Sequence, residues 1–153
     1  MHRHPLIVEQ AEPEPGMAVT EEMYLEWLDR AEGRHEYDRG TVGVMVRVTA
    51  NHADIVWSLV RQLSAQIDVE RFQVFSESFA VRTEGSIRFP DVLVRLRGSN
   101  GRALETEEPI AIFEVVSPSS LYLDAVVKRD EYFRLPSLMA YVILSQDEPD
   151  IGV

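Results

Sequence analysis

The chain of 153 residues contains no cysteine, which removes disulfides, thiolate metal centres and cysteine nucleophiles together and fits a reducing cytoplasm. No apolar run approaches the roughly 20 residues that cross a bilayer, so no membrane association is expected. The first residues, MHRHPLIVEQAEPEPG, lack the apolar core of a signal peptide. Gly-rich phosphate loops, GxSxG elbows and paired-histidine motifs such as HExxH are absent as well. Lysine is almost missing: Lys128 is the only one. The net charge of −11 argues against tight, sequence-indifferent binding to nucleic acid, which rests on basic side chains neutralising phosphates. It does not exclude an enzyme that holds phosphate through a divalent ion, because the carboxylates binding that ion are themselves acidic.

What is present suits a single soluble domain. Residues 1 to 19 carry Pro5, Pro13, Pro15 and Gly16 among scattered glutamates without periodicity, and read as a flexible arm. Residues 20–153 are expected to form the domain. Thr20 is placed to cap a helix that opens on Glu21 and Glu22 and stops at Gly33. HEYD and TVGVMVRV, joined by Arg39-Gly40, predict a hairpin. From about Asn51 to Asp68, residues Val56, Leu59, Val60, Leu63 and Ile67 recur at helical spacing. FQVFS, FAVRT and IRFPDVLVRL predict strands, the last central from Asp91 to Leu96. A polar loop leads to the strand IAIFEVVS; Ser119 or Ser120 then caps a helix to about Arg134, and AYVILS forms another strand. This order predicts an α/β or α+β fold, a mixed central sheet flanked by helices.

One residue breaks the pattern. In IFEVVSPSS, residues 112 to 120, Glu114 lies inside a run of β-branched and aromatic residues that reads as a strand buried on both faces. An unpaired buried charge costs several kcal/mol, roughly, so Glu114 needs a cation, a donor network or a proton. A metal ion is one answer and an arginine another. Asp91, just after Pro90, lies at the start of a strand that can neighbour Glu114, although an aspartate there can also simply end a loop. Together the two carboxylates offer the oxygen ligands that magnesium prefers. In LDAVVKRDEYF, Asp124, Lys128 and Tyr132 share one polar helix face, while Leu121, Ala125, Val126 and Phe133 are expected to face the sheet. Lys128 can then lean over the strand ends, where a cation would help hold water and phosphate. The same spacing also makes an ordinary exposed ion pair. His52 reads as an N-terminal helix residue rather than a ligand. Arg61, Arg82, Arg88, Arg95 and Arg97 are candidates for a nucleic-acid path, with no common face assigned.

Taken together, HEYDRG, NHADIV, FPDVLV, IFEVVSPSS, DAVVKRDEYF and PSLMAYVILS resemble the Uma-two family of endonucleases within the PD-(D/E)XK superfamily, from roughly Thr20 to the C-terminus. The resemblance implies a restriction-endonuclease-like core, a mixed sheet between helices, a magnesium-dependent site in which manganese can substitute, and DNA as substrate; a homodimer is a separate expectation. Position by position it makes Asp91 the aspartate of the PD element, Glu114 the second acid, Lys128 the lysine on the following helix, and Glu36 the early supporting glutamate. Many superfamily relatives carry the lysine two residues after the acid, where this chain has Val116; the resemblance therefore implies a relocated lysine. The rival reading is a catalytically silent binding or assembly module on the same fold.

Overall fold

The computed structural model describes residues 18–45, 47–98, 100–147 and 151–152. The chain divides into two compact units, Met1–Met45 and Val46–Val153.

In the first unit, Thr20 caps α1 (Glu21–Leu28) by accepting from the Met23 N–H at 3.2 Å, and Glu21 and Glu22 occupy the positive end of its dipole. The helix ends earlier than Gly33, which instead takes φ 88° in the following turn. The hairpin consists of β1 (His35–Asp38) and β2 (Thr41–Val44). Its two-residue turn puts Arg39 at φ 44° and Gly40 at φ 91°, the doubly left-handed form that matches strand twist. β2 stops at Val44, short of the predicted run. Tyr24 is fully buried, stacks on Tyr37 and donates its hydroxyl to the His35 carbonyl at 2.9 Å. Val19, at the end of the expected arm, is fastened by its N–H to Gly40 and its carbonyl to the Tyr37 hydroxyl. The rest of that arm, residues 1–17, lies outside the described residues.

The second unit opens with α2 (Ala50–Gln66), capped by Thr49, whose Oγ1 accepts from the His52 N–H at 3.2 Å. Five strands follow: β3 (Phe72–Ser76), β4 (Ala80–Thr83), β5 (Ser86–Arg88), β6 (Val92–Leu96) and the short β7 (Glu105–Thr106). The predicted strand IRFPDVLVRL is thus two strands, broken at Phe89-Pro90 because proline has no N–H for a ladder. β8 (Pro109–Val116) leads through a π-helical stretch, Leu123–Lys128, into α3 (Arg129–Tyr132), then β9 (Ala140–Ser145) and β10 (Ile151–Gly152).

The main sheet has the order β10-β9-β8-β6-β3, with β8 and β9 parallel and the other pairs antiparallel. Beside it β5, β4 and β7 run in that order, β4 and β7 parallel. The fold is therefore α+β with mixed sheets. Alternation along the strands splits the main sheet's side chains in two. Val92 and Val115 meet Val56, with Leu59, Val60 and Leu63 of α2, on one face. Leu93, Ile112, Phe79, Val81, Tyr132 and Tyr141 pack on the other. Each fully buried aliphatic side chain there contributes about 1.5–3 kcal/mol. Parallel neighbours require a crossover, and the helical crossover from β8 to β9 carries Lys128 and Tyr132 across the second face.

Candidate functional site

The sheet register builds the site. Val92 pairs with Phe113, so one step back Asp91 comes level with Glu114. Ser76 pairs with Val92, so one step on Glu77 comes level with Asp91. Three acids consequently form a row across the adjoining ends of β3, β6 and β8. Asp91 is fixed by backbone: the Val115 N–H donates to its Oδ2 at 2.7 Å, and its own N–H lies 3.4 Å from Glu114 Oε2. Glu77 is held by its N–H on the Asp91 carbonyl at 3.0 Å and takes φ 54° as the chain turns out of β3. Asp91 and Glu114 are buried, and Glu77 is half-buried.

Glu114 shares the face of Ile112, two residues back, and there meets its cation. Lys128 Nζ donates to Glu114 Oε1 at 3.1 Å and forms an ion pair with Asp124 Oδ1 at 3.0 Å. The Tyr132 hydroxyl donates to Glu114 Oε1 at 3.4 Å, and the Tyr141 hydroxyl to the Asp124 carbonyl at 2.8 Å. Burial holds the Tyr141 hydroxyl protonated well above the usual tyrosine range; the negative charge of Glu114 and Asp124 adds to this, and Lys128 opposes it.

The helical faces are the reverse of those expected. Asp124, Lys128, Glu131 and Tyr132 are buried, whereas Leu121, Val126 and Phe133 are exposed. The winding is also π over Leu123–Lys128 rather than a regular helix from the serines to Arg134. Burial of Glu114 without a cation would cost several kcal/mol; against this stands the partial exposure of Leu121, Val126 and Phe133, each giving up only part of the about 1.5–3 kcal/mol that full burial contributes.

Sequence reasoning passed over two further residues here. His52 lies in the first turn of α2 with its imidazole buried, Nε2 3.1 Å from Asp91 Oδ1 and 3.7 Å from Glu77 Oε1. Glu77 was legible only through the register of β3 on β6. Glu36 is buried on β1, in the first unit, opposite Gly43. Four of the five candidate arginines have partners within the protein. Arg82 pairs with Glu105 at 2.7 Å, Arg88 with Glu131 at 2.8 Å, Arg95 lies over the rings of Phe75 and Phe79, and Arg97 donates to the Val69 carbonyl. Arg61 is exposed on α2.

The donor chemistry fits a divalent cation. Asp91 and Glu114 present carboxylate oxygens at one level of the sheet, and one ligand atom each from His52, Glu77 and Asp91 lies within 4.8 Å of the others. No described helix is long and apolar enough to cross a membrane.

A mixed sheet joined by helical crossovers, in an α+β chain, is the architecture of restriction-endonuclease-like proteins. The chain belongs to the Uma2 family, described as "Putative restriction endonuclease", whose model matches residues 21–153. A solved structure described as a "putative nuclease belonging to DUF820", from Anabaena variabilis ATCC 29413, superposes with a TM-score of 0.71 at 18% identity over 88% of this chain and 83% of that one. It shows the same fold. Two proteins of Synechocystis sp. (strain ATCC 27184 / PCC 6803 / Kazusa) are similar along most of the length. "Uncharacterized protein sll1609" is 24% identical over 133 residues, 84% of this chain and 75% of that protein. "Uncharacterized protein slr1290" is 24% identical over 142 residues, 91% of this chain and 75% of that protein.

Proposed function

We propose that this chain is a metal-dependent endonuclease that hydrolyses DNA phosphodiester bonds, with Asp91 and Glu114 as ligands of Mg2+, Mn2+ as its substitute, and Lys128 as the cationic group. The observation that carries this reading is the convergence of Asp91, Glu114 and Lys128 in one hydrogen-bonded cluster at the strand ends, within a chain of the Uma2 family. Hydrolysis adds water across one P–O bond, so the attacking water must lose a proton and the departing oxygen must gain one. A divalent ion on Asp91 and Glu114 would supply positive charge against the phosphate and acidify a water. The Val115 N–H keeps the Asp91 carboxylate at a fixed angle. Tyr132 and Lys128 steady the Oε1 side of Glu114. Lys128, flanked by two carboxylates, holds an ammonium group where it can donate to a phosphate oxygen or orient the water.

The resemblance adds Glu36 as a supporting acid and DNA as partner to the same proposal, to which a homodimer and the cytoplasmic location suggested by the cysteine-free composition also belong. Plasmid, linear and single-stranded DNA incubated with the purified chain and Mg2+ or Mn2+ tests the activity. Cleavage should fall at least about a hundredfold in Asp91→Asn, Glu114→Gln and Lys128→Met, the scale on which one preorganised charge contributes to a rate, and Glu36→Gln should lower it less. Cleavage that survives Asp91→Asn and Glu114→Gln would belong elsewhere. The acidity of the chain and the internal partners of Arg82, Arg88, Arg95 and Arg97 favour one rival, a silent nuclease-fold module, which would shift DNA or a protein partner without cutting. Sedimentation tests the dimer.

A further inference from the structure

We propose that His52, Glu77 and Asp91 form a second cation position, distinct from the Asp91/Glu114 pair, that takes a first-row transition ion through one imidazole nitrogen and two carboxylate oxygens. The separations suit this. Ligands about 2.1 Å from one octahedral ion stand about 3.0 Å apart when adjacent and about 4.2 Å when opposite. His52 Nε2 lies 3.1 Å from Asp91 Oδ1 and 3.7 Å from Glu77 Oε1, and all three ligand atoms lie within 4.8 Å of one another. The three come from separate elements: the capped first turn of α2, the turn leaving β3, and the entry to β6. Each is anchored through its main chain, His52 by Thr49 Oγ1, Glu77 by the Asp91 carbonyl, and Asp91 by its N–H toward Glu114.

The donor set decides the ion. Oxygen-only sites suit magnesium and manganese, whereas an imidazole in the set shifts preference toward the later first-row divalent ions such as iron and zinc; Mn2+ serves as the paramagnetic probe of the position. Asp91 is the shared residue. Its Oδ2 is turned to the Val115 N–H and its Oδ1 to His52, so the Oδ1 side serves this position. Glu77, the half-buried member, is the one open to solvent, which leaves a route for the ion to enter. The inference needs no hydrolytic activity, because it concerns binding alone.

The experiment is Mn2+ titration of the full chain followed by pulsed electron paramagnetic resonance. The wild type should show a directly coordinated nitrogen, and so should Glu114→Gln, since Glu114 belongs to the other position. His52→Ala and His52→Gln should both lose the nitrogen signal. They should also weaken Mn2+ binding at least about tenfold, the lower end of what losing even an outer partner of a metal ligand costs, while Mg2+ affinity changes less. Glu77→Gln should weaken Mn2+ binding and keep the nitrogen coupling. Circular dichroism of the metal-free variants separates loss of a ligand from loss of the fold, and the conservative His52→Gln variant covers an unfolded His52→Ala. Bound Mn2+ without nitrogen coupling in the wild type, coupling that persists in a folded His52 variant, or coupling abolished by Glu114→Gln would each overturn the inference. DNA cleavage in Mg2+ alongside any of these results would leave the endonuclease proposal standing.

Discussion

Replacing Arg88 by methionine removes a two-pronged contact from deep inside the second unit. The guanidinium donates from Nε to Glu131 Oε2 at 2.9 Å and from Nη2 to Glu131 Oε1 at 2.8 Å, with both side chains only 4% exposed. Ser86 Oγ donates to the same Oε2 at 2.9 Å, and Thr83 lies 2.5 Å behind Ser86. Methionine fills much of the arginine volume, so the loss is mainly that of a cation opposite a buried carboxylate. Breaking such a pair from one side costs about 3–5 kcal/mol. With a urea slope of about 2 kcal/mol per molar, the unfolding midpoint of Arg88→Met should fall by roughly 1.5–2.5 M. The double variant Arg88→Met/Glu131→Leu removes the stranded charge and should recover most of that loss, since buried pairs replaced by apolar groups are often neutral. Equilibrium urea unfolding followed by tryptophan fluorescence measures all four corners of the cycle. A midpoint shift under about 0.5 M for the single variant, or additive single and double effects, would refute the reasoning that this pair carries an internal charge balance.

Alkaline stability should depend on the buried tyrosines. Burial first, then Glu114 and Asp124, raises the Tyr141 hydroxyl, while burial and then Glu36 raises that of Tyr24. The folded state therefore keeps protons that the unfolded chain releases above about pH 10. Their contribution is complete below that pH and is lost as pH rises through the folded values, so Tyr141→Phe and Tyr24→Phe should flatten the decline of stability above pH 10 in urea titrations. At neutral pH, Tyr141→Phe should cost about 1 kcal/mol for the hydrogen bond to the Asp124 carbonyl. Thr49→Ala removes the cap of α2 and should lower stability by about 1 kcal/mol in the same assay. Gly40→Ala forces a side chain into φ 91° and should cost about 1 kcal/mol or more, measured by thermal unfolding.

Much of this architecture was readable because it rests on short-range rules. The Thr20 cap, the Arg39-Gly40 turn and the apolar spacing of α2 are local chemistry, and each fell close to its predicted place. Glu114 was legible for a different reason: a carboxylate in a strand of valine, isoleucine and phenylalanine is an energetic anomaly that demands a partner. What escaped was set by pairing between distant strands. Glu77 joins the acids only because β3 lies on β6 with Ser76 opposite Val92, and nothing in the sequence around it announces that register. His52 was discounted because a single histidine carries no spacing. Lys128 was expected over the strand ends, but burial of the whole face it shares with Asp124 was not, because periodicity alone favours burying the leucines and valines, and only the buried acid beneath reverses the choice.

That reversal makes chain length over the crossover as restrictive as its composition. One residue inserted or deleted between Ser120 and Lys128 would rotate everything beyond it by one residue's step around the helix, swinging Val127 or Arg129 to where the lone ammonium now sits. A valine there would strand Glu114, and a guanidinium would reach it with a longer, flatter head. Substitutions in this segment can be graded one atom at a time, whereas a change in its count would act like a key cut one notch out of step.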